Sequence, residues 1–401
     1  MKAENKRLYY LDWLRVLAFG LLFLFHSWRP FDNLPWHIKN DDTSVIFDLL
    51  TMFTHGWRMY LIFLVSGAGT WFAMKSRKGA FVEDRLKRII VPFLFGILLI
   101  IPPQRFYEWV FYRDFQGDYL DFLMLYPGQQ LGDSMGASVL LWFGHLGTHI
   151  WYLPFLFVMT LVTIPLFSKI QKGQINFSKL KVLMSSKLGV FVLAIPMLVC
   201  RLALKPIFPA YTDWADFFVY IWPFIYGFVF VSDLEFINII KKNTKLLLNV
   251  GILGSIVFLY MASQGEQMVE AYMKPAFDLT HVFISVCSVL IALSWILFFL
   301  GFFAKAMDFN HSILVPANIS ILPIYVLHQT LIIVFGYYIV GLEMNAFLKF
   351  ATIAFTATPA SIVLYKIIQT NNISRVLFGL KPKVKSQKKV LPESIALKTI
   401  H

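Results

Sequence analysis

An all-α, polytopic membrane helix bundle of about ten transmembrane helices is the fold class this 401-residue sequence predicts. Three observations carry the prediction. The chain is 58% hydrophobic and only 15% charged, far more apolar than a soluble domain. Its apolar residues fall in runs of the roughly 20 residues that cross a bilayer core. Lysine and arginine concentrate on alternate loops between those runs.

Taken in order, spans are expected at about 9–28, 57–74, 89–106, 149–168, 188–204, 214–232, 246–263, 280–304, 318–341 and 346–368. Lys2, Lys6 and Arg7 resemble the start of a signal peptide. The following run is too long for one and lacks a small-residue cleavage site, so a retained first span is predicted. The apolar piece 136–144 is too short to cross and reads as interfacial or re-entrant. Of 36 lysines and arginines, 26 share a side with the N-terminus and eight face the other way. Arg15 and Arg58 lie within or at the edge of spans. That bias predicts cytoplasmic termini and an even number of spans, and it accounts for the net charge of +13 without nucleic acid. With no repeat or linker in view, 1–370 reads as one transmembrane domain. Residues 371–401 read as a disordered, basic cytoplasmic tail that contacts anionic lipid. Cys200 and Cys287 sit in apolar runs, which suits neither a disulfide framework nor a zinc site.

The first span, YYLDWLRVLAFGLLFLFHSWRP (9–30), carries Asp12, Arg15 and His26. Ionisable groups inside a membrane cost free energy and are functional candidates by default. In the predicted topology Asp12 and Arg15 lie near the cytoplasmic face, with Arg85 and Arg88 of RLKRIIVP. His26 lies near the outer face, with His55, Arg58 and His149, while His328 of PIYVLHQT falls near mid-membrane. Each has an ordinary reading: an edge histidine is an interfacial amphiphile, His328 bonds a neighbouring helix, and the arginines set topology. Sorting by depth points further. Arg85 and Arg88, three apart, share a helix face and suit a phosphate-bearing ligand. A histidine with a pKa near neutrality suits a general base toward a hydroxyl. Gly67-Ala68-Gly69 reads as a helix-packing site. No nucleophile elbow, Walker loop, dinucleotide fingerprint or zinc signature is present.

Four motifs in order sharpen this: LDWLRVLAF…FH (11–26), FLVSGAGTWF (63–72) with Ser66 in F-x-x-S-G, RLKRIIVP (85–92), and HIWYL (149–153). Together they resemble the membrane acyltransferase-3 family, whose members acylate carbohydrates from acyl-coenzyme A. The resemblance covers about 8–370. HGWRMYLIFLVSG (55–67) and PIYVLHQT (323–330) look most like its branch for succinylating periplasmic glucans. The resemblance implies a ten-span bundle in the bacterial inner membrane, with His26 as catalytic base and Arg15 as supporting charge. Arg85 and Arg88 would contact the coenzyme A phosphates, and His149 and Trp151 would shape the site. Ser66, His55, Arg58 and His328 complete the implied binding set. The implied partners are an acyl-CoA co-substrate, a carbohydrate acceptor and the bilayer, with a homodimer left open and no bound cofactor or metal. Tyr152 stands where the family motif HLWFL has phenylalanine. No carboxylate neighbours His26 within its span, since Asp12 is nearly four turns away. An acid from another span, or a backbone carbonyl, would have to orient its ring.

The function predicted is an integral-membrane O-acyltransferase that moves an acetyl or succinyl group from cytoplasmic acyl-CoA to an extracytoplasmic carbohydrate hydroxyl. A transporter or glycan exporter is the alternative on span count alone. Against it stand the lack of paired half-repeats with interrupted helices and the scarcity of mid-span carboxylates. A receptor or scaffold leaves the depth sorting unexplained.

Overall fold

In hydrocarbon a free backbone N–H or C=O finds no partner, so a spanning chain must satisfy its own hydrogen bonds as helices. The computed structural model describes residues 7–263 and 266–383, the side chains of 78 and 266–268 apart, and every regular element among them is a helix. The first are α1 (Tyr9–Trp28), α2 (Val45–His55), α3 (Arg58–Arg77) and α4 (Phe81–Arg113). Next come α5 (Tyr119–Asp133), α6 (Val139–Gln171), α7 (Ser178–Ser185), α8 (Gly189–Leu204) and α9 (Trp214–Ser232). Then follow α10 (Glu235–Lys242), α11 (Thr244–Ser263), α12 (Glu266–Met273) and α13 (Leu279–Ala306). The last are α14 (Leu314–Val340), α15 (Ala346–Ile368) and α16 (Asn372–Leu377).

Eight of these, α1, α4, α6, α9, α11, α13, α14 and α15, are long and apolar enough to cross a membrane. The other two expected spans fall on α3, whose composition is less apolar, and on α8, which is shorter. The piece 136–144 largely joins α6, so the helix that carries the fourth expected span begins at Val139. A tight 3-10 turn at Thr148–Trp151 bends the chain within α6, with Thr148 at φ +41°. The stretch after 371, expected to be disordered, is ordered where it is described. Residues of α16 are helical, and Gly379 accepts a hydrogen bond from Arg88 Nε at 3.2 Å, which ties this stretch to α4. The rest of the tail, from 384, lies outside the described residues, as do Lys2 and Lys6.

Two π-helical turns interrupt α4, at Leu86–Ile90 and Gly96–Ile100. Each precedes proline, Pro92 in one case and Pro102 with Pro103 in the other. Proline lacks an N–H and its ring crowds the carbonyl four residues back, so widening the preceding turn relieves the clash. The Ile100 carbonyl then accepts from Thr330 Oγ1 at 2.8 Å.

α1 lies against α3, α13, α14 and α15. α3 and α9 approach most closely, because Gly67 and Gly227 face each other's backbones. A Cβ on Gly67 would stand 1.8 Å from the Phe224 carbonyl oxygen, and one on Gly227 would stand 1.8 Å from that of Leu64. The helix-packing reading of 67–69 therefore holds. Peripheral α11 and α15 turn Leu253, Ile256, Phe355 and Val363 outward, the apolar exterior that lipid requires.

Candidate active site

The C-terminal end of α1 opens on a cavity of about 340 Å³, and His26 lines it. Residues from five directions complete the wall: Arg58 of α3, Arg105 of α4, His149 and Trp151 of the α6 turn, Gln329 of α14, and Trp36 with His37 of the loop after α1. His26 stands 5.1 Å, ring centre to ring centre, from His328 and 6.5 Å from His149; His149 and His328 are 5.1 Å apart. Three histidines from α1, α6 and α14 thus converge, although 26 and 328 are some 300 residues apart in the chain.

Hydrogen bonds set the ring states of two of them. His149 Nε2–H donates to the Val326 carbonyl at 3.2 Å, and its Nδ1 accepts from Gln104 Nε2 and Thr148 Oγ1 at 3.3 Å each. His328 Nδ1–H donates to the Tyr325 carbonyl at 2.6 Å. Among the described residues, His328 Nε2 and His26 Nδ1 are buried without a partner. Among the described residues no carboxylate or carbonyl bonds His26 Nδ1, so neither fills the orienting role expected of a neighbouring span.

Arg58 contributes a cation to the wall. Its guanidinium lies 3.2 Å from the Phe25 ring centre, and its Nε and one terminal nitrogen lack protein acceptors among the described residues. His55 does not line the cavity; its ring sits 5.2 Å from that of Tyr211, which does. Burial first, then the neighbouring Arg58 charge, lowers the His55 pKa to about 3, so it stays neutral near pH 7.

The loop between α1 and α2 caps this end. Asp32, fully buried, accepts from Thr51 Oγ1 at 2.8 Å, pairs with Lys39 Nζ at 2.7 Å and binds Arg29. A buried carboxylate needs such partners to remain charged. Lys349 Nζ holds Asn40 Oδ1 at 2.7 Å, and Tyr112 donates to the Trp36 carbonyl at 2.8 Å. Held in this way, His37 donates from Nδ1 to Glu108 at 2.5 Å and accepts at Nε2 from Gln329 at 3.1 Å. Gln329 also donates to Gln104 at 3.1 Å, and Gln104 reaches His149, so Glu108, His37, Gln329, Gln104 and His149 form one chain of hydrogen bonds. Burial lowers the His37 pKa, against the opposing pull of Glu108.

Sequence reasoning missed His37, Glu108, Gln104 and Gln329. One signal was available: Glu108 and Arg105 are an ionisable i, i+3 pair at the end of an apolar helix, which itself marks a functional candidate.

At the opposite end of α1, Asp12 pairs with Arg7 at 2.7 Å rather than with Arg15. Arg15 lies against α3, where a Cβ on Gly69 would stand 2.3 Å from its guanidinium, so a larger residue there would displace the arginine's head. Arg77 pairs with Asp84 at 2.7 Å. Arg15, Arg77 and Arg88 all lie within electrostatic range of Arg85, a cationic cluster whose neighbouring carboxylate among the described residues is Asp84. Arg85 donates to Thr70 Oγ1 at 2.9 Å, Thr70 to the Ser66 carbonyl at 2.8 Å, and the Ser66 hydroxyl meets that of Tyr152, which lines the cavity. A polar thread therefore runs from the arginines to the histidine cavity through α3. The expected shared face of Arg85 and Arg88 is altered by the π turn between them; Arg88 turns to Gly379 while Arg85 turns to Thr70.

A family model described as an acyltransferase domain matches residues 8–366. Curated relatives called glucans biosynthesis protein C include one from Escherichia coli strain K12, 24% identical over 418 residues, covering 96% of this chain and 98% of the relative. Another, from Shigella dysenteriae serotype 1, is 24% identical over 409 residues with the same coverage. No solved structure matches. With nearly the whole membrane region matched, the chain belongs to the acyltransferase-3 family and is a multi-pass membrane acyltransferase.

Proposed function

We propose that this protein transfers an acyl group from acyl-CoA, bound at the arginine cluster, to a hydroxyl of a glucan presented at the histidine cavity, with His26 as general base. One observation carries the reading: a single helix, α1, bears Arg15 in a cationic cluster and His26 in a cavity. They are eleven positions apart, about 16 Å at the helical rise. A donor with anionic phosphates and a long thioester arm suits that spacing. The arginines position it, and Trp151, Arg58, His37 and Gln329 offer a carbohydrate stacking and hydrogen-bonding partners. The glucan acceptor is inferred from the relatives' name. Acetyl and succinyl both fit the reading.

The acceptor oxygen attacks the thioester carbonyl as His26 Nε2 takes its proton, the C–S bond breaks, and the proton passes to the coenzyme A thiolate. Ester and free coenzyme A result. In this reading α3 and α8 join the eight long apolar helices as spans, ten in all, both termini are cytoplasmic, as the lysine and arginine bias favours, and the membrane is a bacterial inner membrane. The transmembrane domain is read as 1–370, with α16 packed against α4 just beyond it. Mass spectrometry of cell-envelope glucans, from cells with the protein or its His26→Ala variant, tests the reading. An acyl mass increment present only with the intact chain is expected. The same increment in the variant removes His26 from the role of base, and no increment in either removes the glucan.

A further inference from the structure

The structure assigns His328 as the group that positions His26: its Nε2 accepts the Nδ1–H of His26, which turns the His26 Nε2 lone pair toward the cavity. The assignment rests on the reading of His26 as base. Its ground is a pair of orphans. Among the described residues, His26 Nδ1 and His328 Nε2 are buried side-chain nitrogens without partners, and they belong to neighbouring rings.

Tautomer logic pairs them in one direction. A nitrogen that faces a carbonyl must carry the proton, so the bond from His328 Nδ1 to the Tyr325 carbonyl leaves the lone pair of a neutral ring on Nε2. His328 is then an acceptor, and the group to satisfy it must be a donor. His26 Nδ1–H is that donor. The distance agrees. An N–H···N bond of about 2.9 Å, with about 1.1 Å from each nitrogen to its ring centre, puts coaxial imidazoles about 5 Å apart, and these rings stand 5.1 Å apart. They are tilted by 54°, so the bond requires the His26 ring to turn toward His328, whose own ring is held by Tyr325.

Other neighbours of His26 do not fill the role. His149 is 6.5 Å away, and both its nitrogens are engaged, with Val326 and with Gln104 and Thr148. Arg58 and Arg29 are cations and donate only. Trp36 stacks at 6.4 Å and has no acceptor for Nδ1. His37 is committed to Glu108 and Gln329.

The consequence is catalytic. As His26 Nε2 takes the acceptor proton, positive charge develops on its ring, and the Nδ1–H···Nε2 bond becomes charge-assisted and stronger. The Tyr325 carbonyl dipole, acting through His328, stabilises that charge further. Such a bond is worth more in the transition state than in the ground state and so acts on kcat. A neutral acceptor performs here the orienting part that a carboxylate plays in Ser-His-Asp triads, without placing an uncompensated anion in a dry bundle.

The test uses the full chain reconstituted in phospholipid vesicles, with radiolabelled acetyl-CoA or succinyl-CoA and soluble glucan oligosaccharides. His328→Phe keeps ring volume and removes the acceptor; His328→Gln keeps an amide oxygen able to accept. Rates are normalised to folded protein, measured by size exclusion and donor binding. His328→Phe is expected to lower kcat about 10- to 100-fold, on the scale of orienting partners elsewhere, with donor KM within about 2-fold. His328→Gln is expected to recover most of the loss, and His328→Phe to have no added effect in a His26→Ala background. A wild-type kcat for His328→Phe, an equal loss in Gln and Phe, or a loss confined to KM overturns the assignment. Should the Phe variant not fold, His328→Met, whose flexible side chain fills irregular gaps, takes its place against Gln. Full activity in His26→Ala alone defeats the base reading instead, which separates the two failures.

Discussion

The two ends of α1 solve opposite electrostatic problems. At the N-terminal end Arg15, Arg77, Arg85 and Arg88 gather around one acid, Asp84, and leave cationic charge for an anionic ligand to neutralise. At the C-terminal end His149 and His328 bond neutral carbonyl and amide groups, and the acids Asp32 and Glu108 are committed to cations and to His37. The difference separates binding from chemistry. Fixed charge attracts and holds a polyanion at any pH near neutrality, whereas proton transfer needs a ring that starts neutral and can gain charge.

That division is broken or sharpened by separable losses. His26→Ala is expected to have the largest effect, lowering kcat by about 10²- to 10⁴-fold while leaving acyl-CoA affinity unchanged in an equilibrium binding assay. Arg85→Ala with Arg88→Ala should do the reverse, raising donor KM or Kd about 10- to 100-fold with kcat within a few-fold, in keeping with charge-assisted contacts. If both variants changed the same parameter, the two ends would not have separate tasks.

Acid stability isolates the capped end. The folded His55 pKa of about 3 lies below the unfolded value of about 6.5. Between those values the unfolded chain holds a proton that the fold does not, so stability is complete above about pH 6.5 and falls as pH drops. His37, also lowered by burial, adds in the same direction. Thermal denaturation in detergent should show about 1 kcal/mol lost through His55 between pH 6.5 and 5.5, and His55→Gln should flatten the slope. An unchanged slope would remove His55 as a source. The smallest effect is expected from Thr70→Val, which takes away the hydroxyl that receives Arg85. A loss of about 0.5–1.5 kcal/mol should appear as a few-fold rise in donor KM, with kcat retained.

Much of this architecture is legible from hydropathy because lipid enforces it. A chain that spans hydrocarbon must be helical and apolar outside, and both constraints are local. His26, Arg15, Arg85 and His149 stand out in the same way, as ionisable residues where they are costly. His55 was legible as a histidine near the site but not as one that stays outside the cavity wall, which depends on where Tyr211 packs. The cap could not be read either: residues 29–51 look like a polar loop, and Asp32 becomes a buried hub only once Arg29, Lys39 and Thr51 enclose it.

By itself, then, the sequence determined the helices, their apolar faces and the ionisable residues placed within them, because each follows from a single residue's transfer cost or a short periodic run. Tertiary structure alone decided the partners. His328 reached His26, Gln329 reached His37, and Tyr152 met Ser66 through packing of helices far apart in the chain. A side chain's solvation cost is carried by its own chemistry, but the group that offsets it is chosen by the fold.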